Sequence, residues 1–360
     1  MIEKELKILL LADSRSFHTE RFAHELRHQG CHVLVASVER GKMLHFHLVN
    51  KGGVQTKYYL KAIPRAHQII RKFQPDIINA HFASGYGFLV ALLKKFKTIP
   101  RVLHIQGSDV LLVPHMSRLR HYKVVKALKE VDCVVADSIY LAAEAKKLTS
   151  LKRSEVIDWG IEEKYINFHK IDYALHSPLK IIVPRPHEKV YNNPFIVKAL
   201  EPLIKEMKIE ITFPEFGSLL PEFQDACSDY LGGGITLYKK MPRGQFMQFM
   251  SWFDVYLSAS LSDSSPISLI EGMALGLIPV AGDIPGVKEW LNPQNGFTFS
   301  FSEPKQLEMI ISEIINSKNQ YAEMRQGNLK EVQKRGIFEE NMRKQIELMH
   351  QLIEAKKNEQ

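Results

Sequence analysis

Long apolar runs are missing from this 360-residue chain, because Lys94, Lys95 and Lys97 interrupt the most apolar stretch well before the roughly 20 residues a bilayer-spanning helix needs. The opening MIEKELKILLLADSRSF has too short an apolar core to span and no small-residue cleavage site, so it reads as a first buried strand. Cysteine is scarce: Cys31, Cys133 and Cys227 are far apart and odd in number, which suits neither a disulfide framework nor a metal cluster. The expected setting is therefore reducing and cytoplasmic, with the protein soluble or peripheral on the inner face of the plasma membrane. The first strand is followed by ADSRSFHTE, which lacks the G-x-G-x-x-G turn that brings backbone against a pyrophosphate, and this argues against a nicotinamide or flavin site there. No Asp-x-Asp metal triplet, sequence repeat or low-complexity segment stands out.

Charge is unevenly spread. Net charge is +8, but residues 1–175 carry 28 Lys and Arg against 17 Asp and Glu, whereas residues 176–360 carry 20 against 23. From Lys51 to Lys129 there are 15 basic residues and only two acids, Asp76 and Asp109. That balance fits a surface facing phosphates or anionic lipid, or an ordinary solvated basic face.

Short apolar runs alternate with helical periodicity from end to end, the pattern of βα units on parallel sheets, so the fold class is α/β. Strands are expected at Lys7–Ala12, His32–Ser37, Ile77–His81, Val102–Gln106 and Cys133–Ala136. The pattern restarts after Leu175–Pro178, giving a domain boundary near residue 175 and strands at Lys180–Val183, Ile209–Phe213, Ile235–Tyr238, Val255–Ser258, Ile278–Ala281 and Phe297–Phe299. Helices are expected at Phe195–Met207, Arg243–Trp252 and Ile267–Ala274, and after Glu303 the chain reads as helical with Gly336 as the one break. Two Rossmann-like doubly wound domains, 1–174 and 175–337, would face a cleft at their strand C-termini, where open α/β sheets bind ligands.

The richest segment is SASLSDSSPISLIEGMALGLIPVAGDIPGVKEW. A strand ends at Ser258, a loop of hydroxyl and acidic residues follows, and Pro266 stands where a helix can start. Free amides near Ser265, Ile267 and Ser268, with the positive dipole end behind them, make a phosphate site, while Glu271 one turn in can accept from a ribose and Asp263 from sugar hydroxyls. Taken alone, the same residues also describe an N-cap loop with a surface glutamate.

This segment resembles the donor site of the family 4 retaining glycosyltransferases (glycosyl transferases group 1), whose signature is an acid, seven residues, then glutamate: here Asp263, SSPISLI, Glu271. Other segments are similar to that family in the same order. They are ADSRSFHTERF with Asp13, His18 and Thr19, HIQGSDVLL for its His-Gly-Ser-Asp loop, VVADSIYLAAEA, VIDWGIEEKYI for its interdomain linker, and IIVPRPHEKVYNN with Arg185 at the arginine position.

The resemblance implies a GT-B fold of bacterial surface-polysaccharide type, with the residues after Gly336 (338–360) crossing back to complete the first domain. It implies a retaining, metal-independent transferase that takes a nucleoside diphosphate sugar, UDP or GDP, as donor substrate and needs no cofactor. The glycan or lipid-linked acceptor and an anionic membrane surface are the expected partners, and no nucleic acid. Arg185 would neutralise the leaving diphosphate, helped by Lys189 or by Tyr191 in the subgroup with tyrosine there. Gln106 stands where the family has histidine and cannot act as a base, so Asp109 or His18 would assist deprotonation, or the leaving phosphate oxygen would take the proton. Asp109 also suits a turn role. Gly107 would let backbone approach the sugar, and His81 and His104 read as ends of buried strands. The stretches GYGFLVALLKKFK, with Phe88, Leu89, Leu92 and Leu93, and HMSRLRHYKVVKALK are candidate membrane-docking segments, unless their apolar faces are core. Open alternatives are a nucleotide-sugar epimerase or hydrolase on the same fold, or a non-catalytic glycan or nucleotide-sugar binder.

Overall fold

The structure, a computed structural model, describes residues 5–50, 53, 55–317 and 321–359. Lys51, where the basic stretch begins, lies outside them. Contacts divide the chain into two compact units, residues 1–158 with 339–360 and residues 159–338.

Unit 1 is built on β1 (Lys7–Leu11), β2 (His32–Ser37), β3 (Phe46–His47), β4 (Ile77–His81), β5 (Arg101–His104), β6 (Cys133–Ala136) and β7 (Ser154–Val156). These form one sheet in the order β3-β2-β1-β4-β5-β6-β7, every described pairing parallel. Leu9, Leu10 and Leu11 are fully buried, as the strands of a sheet covered on both faces must be. Unit 2 repeats the plan with β8 (Leu179–Ile182), β9 (Ile209–Pro214), β10 (Ile235–Tyr238), β11 (Val255–Ser258), β12 (Ile278–Gly282) and β13 (Phe297–Phe299). Their order is β10-β9-β8-β11-β12-β13, again parallel. Each sheet is thus doubly wound, and its strand order reverses next to its first strand: between β1 and β4 in unit 1, between β8 and β11 in unit 2. Loops leaving the carboxyl ends of those strands diverge and open a crevice.

Several boundaries differ from the sequence reading. The contact division falls after Asp158 rather than near 175, because residues 159–175 are tied to unit 2: His169 Nδ1 is 2.7 Å from the Ala274 carbonyl, and Lys170 Nζ donates to the Phe253 carbonyl at 2.7 Å. β3 and β7 are additional, and β5 stops at His104 instead of Gln106, since the chain turns at Gly107 with φ 93°. The helix after β8 runs Asn193–Lys205 and ends before Met207, whose φ of 55° is left-handed. The helix expected to reach Trp252 ends at Met250. After Glu303 there are two interruptions: one helix ends at Asn316 and the next begins at Ala322, and Gly336 separates the latter from the last helix, Phe338–Asn358.

That last helix returns to unit 1. Gln29 Nε2 donates to the Glu339 carbonyl at 3.0 Å, Arg153 to Gln351 at 2.8 Å, and Lys356 to Asp132 at 3.4 Å. Where unit 2 begins and ends, Ile161 N donates to the Gly336 carbonyl (2.8 Å) and Phe338 N to the Ile161 carbonyl (2.9 Å). Gly160 has φ 67° there, and a Cβ on it would lie 2.3 Å from the Gly336 carbonyl oxygen.

Candidate active site

In unit 2 the crevice beside β8 is occupied by two ion pairs. Arg185, three residues past β8, donates to Asp263 at 2.6 Å, and Asp263 follows β11, so the pair straddles the point where the strand order reverses. Tyr191 lies 5.2 Å beneath the Arg185 guanidinium. Burial alone would lower the proton affinity of Arg185, but Asp263, Tyr256 and Tyr191 outweigh it and raise it. Arg185 is a fixed cation, and its Nε has no acceptor among the described residues. Donors are left over for a phosphate. Lys189, by contrast, is exposed on the turn Lys189–Tyr191, so the structure brings Tyr191 to the arginine and not the lysine.

The helix Ile267–Ala274 begins at Pro266 with no side-chain cap. Its first backbone bond to Pro266 comes from Leu269, which leaves the Ile267 and Ser268 amides at the helix start without an intrahelical acceptor. The hydroxyls beside it are engaged: Ser265 accepts from Trp290 Nε1 at 3.1 Å, and Ser268 pairs with Tyr256 at 3.0 Å. Glu271 is buried and accepts from Arg243, the first residue of the helix Arg243–Met250. Arg243 also sits 3.9 Å from Glu162 and 5.7 Å over the Tyr165 ring. The sequence reading did not single out Arg243. It is 28 residues from Glu271, in no local motif, and only the fold joins them.

The corresponding crevice of unit 1 is an open cavity of about 740 Å³. Asp13, Ser16 and Thr19 after β1, Glu39 after β2, His81 and Phe82 at the end of β4, and Gln106 after β5 line one part. Phe82 holds φ 74°, a strained value for a bulky side chain. The strain has a visible support: Ala83 N donates to Asp109 Oδ2 at 2.7 Å, and Gln106 N donates to Asp109 Oδ1 at 2.9 Å. Both carboxylate oxygens of the fully buried Asp109 therefore hold the two loops that shape the cavity, and Asp109 is absent from its lining. Asp109 thus lies beneath the cavity wall rather than in it. Its contacts are those of a group that positions the two loops, and burial pushes its carboxyl up to about 6 against the opposing pull of the backbone amides. Gly107 supplies the positive φ of the same turn.

His81 and His104 are buried at the ends of β4 and β5, packed edge-on against Phe22 at 4.7 and 5.1 Å. Burial drives the proton affinity of both down, to about 3 for His104. His18 is half-buried on the first helix and is not among the lining residues.

The far part of the cavity is basic. Lys123, on the helix Arg118–Glu130, is 5% exposed, and its ammonium donates to Thr56 Oγ1 at 3.1 Å. It lies over the rings of Phe88 (5.5 Å) and Tyr59 (5.9 Å). Arg120 stands one turn earlier on the same wall, and neither makes an ion pair among the described residues. The apolar side chains of the first basic stretch are not a docking face: Phe88, Leu89 and Leu93 are core. On the second, Met116, Leu119 and Tyr122 are exposed beside Arg118, Arg120 and Lys126.

Two doubly wound parallel units, one carrying a cation and an uncapped helix start at its switch point, define the class of GT-B glycosyltransferases. Residues 7–138 match the glycosyl transferase 4-like family and residues 222–331 the glycosyl transferases group 1 family. Over these two segments the chain is similar to the group 1 glycosyltransferases. It is 27% identical over 237 residues to the putative teichuronic acid biosynthesis glycosyltransferase TuaC of Bacillus subtilis, covering 60% of this chain and 55% of that relative, so the match spans about half of TuaC. It is 26% identical over 317 residues to the amylovoran biosynthesis glycosyltransferase AmsK of Erwinia amylovora, 79% of this chain and 72% of AmsK. Among solved structures, Anabaena HepE in complex with UDP shares the fold with TM-score 0.76 and 16% identity over 96% of this chain and 100% of HepE. A glycosyltransferase from Rickettsia africae does so with TM-score 0.76 and 18% identity over 97% and 99%.

Proposed function

We propose that this enzyme transfers a hexose-like unit from a nucleoside diphosphate sugar, UDP or GDP, to a surface-polysaccharide or lipid-linked glycan, with retention at the anomeric carbon and without a metal. The observation that carries this reading is Arg185, a fixed cation at the switch point of unit 2, set beside the uncapped start of the helix bearing Glu271. In the reaction the bond from the anomeric carbon to the diphosphate oxygen breaks, and the acceptor hydroxyl oxygen bonds to that carbon on the same face. The hydroxyl proton passes to the departing phosphate oxygen, which needs no protein base and so tolerates Gln106. Arg185 and the amides of Ile267 and Ser268 would meet the charge that grows on the diphosphate. Glu271, oriented by Arg243, would accept from the ribose, and Asp263 from sugar hydroxyls. The polysaccharide acceptor is supported by the names of TuaC and AmsK, and a UDP donor by the HepE complex.

Among the described residues no helix is long and apolar enough to cross a membrane. The exposed Met116, Leu119 and Tyr122 amid arginine and lysine support docking on an anionic leaflet. Liposome flotation checks this: equal partitioning to neutral and anionic vesicles at low salt would rule it out.

The main test is turnover of a UDP- and GDP-sugar panel with the anomer of the product read by NMR. Arg185→Ala should lower kcat about 100- to 1,000-fold, as loss of one preorganised charge donor does. An inverted product, nucleotide-sugar isomerisation without an acceptor, or unchanged turnover in the variant would each overturn the assignment.

A further inference from the structure

Burying an ammonium is costly unless an opposite charge accompanies it. Lys123 is nearly inaccessible, yet its hydrogen-bond partner is the neutral hydroxyl of Thr56, and its other neighbours are two aromatic faces. The charge felt most by its ammonium is the like charge of Arg120, and no carboxylate offsets it. Across Tyr59 the same cavity reverses sign. Glu39 is buried, its Oε1 accepts no hydrogen bond among the described residues, and its other oxygen lies 3.7 Å from Arg15. Asp13 joins Glu39 in the lining, but both its carboxylate oxygens are already held by Arg15, at 3.0 and 2.8 Å, so Glu39 Oε1 is the open acceptor. One cavity thus presents an uncompensated cationic wall and, separately, a carboxylate acceptor that suits a hydroxyl donor.

From this segregation we infer that unit 1 takes an anionic sugar: a phosphate or carboxylate lodges between Lys123 and Arg120, while a hydroxyl of the attached ring donates to Glu39. To call that sugar the acceptor rests on the transferase reading above; the charge preference itself does not. A phosphate would come from a carrier-linked glycan, whose chain could lie along Met116 and Leu119 on the cationic wall, and a carboxylate from a uronate residue.

The test titrates the wild-type full chain with three probes, glucose 1-phosphate, glucuronate and methyl glucoside, by calorimetry. Either anionic probe should bind at least about tenfold more tightly than the neutral one, as a charge-assisted bond to a buried ammonium provides. A lead for the phosphate names the carrier-linked source, and a lead for the carboxylate the uronate. Lys123→Met should erase the preference and Lys123→Arg retain it. The solvent-exposed Arg120→Gln should reduce the preference even if Lys123→Met fails to fold. Glu39→Gln should weaken all three probes alike. Arg185→Ala should leave the preference intact, which excludes binding at the unit 2 cation. Equal affinity for the three probes, or a preference that survives both Lys123→Met and Arg120→Gln, overturns the inference. Thermal stabilisation by a panel of UDP- and GDP-sugars is read in parallel. If the wild type shows none while the anion preference holds, the transferase reading fails and the anion site stands; the opposite pattern sinks the anion site alone.

Discussion

At the switch point of unit 2 each arginine is clamped by a carboxylate, Arg185 by Asp263 and Arg243 by Glu271, whereas in the unit 1 cavity Arg15 holds Asp13 in the same way but Lys123 and Arg120, in the far part, face no carboxylate among the described residues. The strand orders match, so topology does not explain the difference. Pairing fixes the unit 2 cations in position before any phosphate arrives, which is what preorganised stabilisation of a leaving group requires. In unit 1 the unpaired charge of Lys123 and Arg120 is left to be matched by a ligand, which favours selectivity among ligands over rigidity.

The contrast can be broken by experiment, beginning with the largest effect. Arg243→Met strands the buried Glu271 carboxylate and should cost about 3 kcal/mol in urea unfolding, the usual penalty for removing one partner of a buried pair. The double variant Arg243→Met/Glu271→Leu should recover most of that loss. A single variant as stable as wild type would mean the pair is not a clamp.

Next in size is the pH dependence set by Asp109. Its folded proton affinity, raised to about 6 from an unfolded value near 3.8, means the native state holds the extra proton between those limits. Stability from this group is therefore greatest at low pH and declines as pH climbs to 6, by about 3 kcal/mol in all. Measured against Asp109→Asn at pH 4 and pH 7, the wild type should lose roughly that amount relative to the variant. A pH-independent difference would show that the backbone amides hold the carboxylate ionised throughout.

The smallest effect sharpens the comparison most. Lys123→Met replaces an unpaired buried cation by an apolar chain of similar length, so stability should stay level or rise by on the order of 1 kcal/mol. A fall like that of Arg243→Met would erase the distinction between the two crevices.

Much of this was legible beforehand where apolar runs are long and bounded by turns. β4, β6, β10, β11 and β13 and the helix Ile267–Ala274 keep their expected limits. β3, two exposed residues long, and β7, which reads SEV, are too short to carry an apolar run, and each pairs with a single neighbour. At the candidate site the sequence reading put Arg185 after β8 and Asp263 and Glu271 after β11, where the structure has them, but it did not show their pairs. Arg243 and Lys123 were hidden for the same reason: a basic residue on a helix reads as surface until tertiary packing closes over it. Asp109 was visible as a turn aspartate, yet its second contact, Ala83 N on the turn after β4, is 26 residues away.

The two-stranded bridge of Ile161 with Ile337 has a further meaning. It brings the first and last residues of unit 2 side by side, so that unit behaves as a cassette inserted into the other, entering after Asp158 and leaving before Glu339. A cassette with adjoining ends can be excised, exchanged or used as the site of a circular permutation with little loop to rebuild. On the proposed function, donor preference would then be inherited or engineered as one transplantable block, with Gly160 marking the seam.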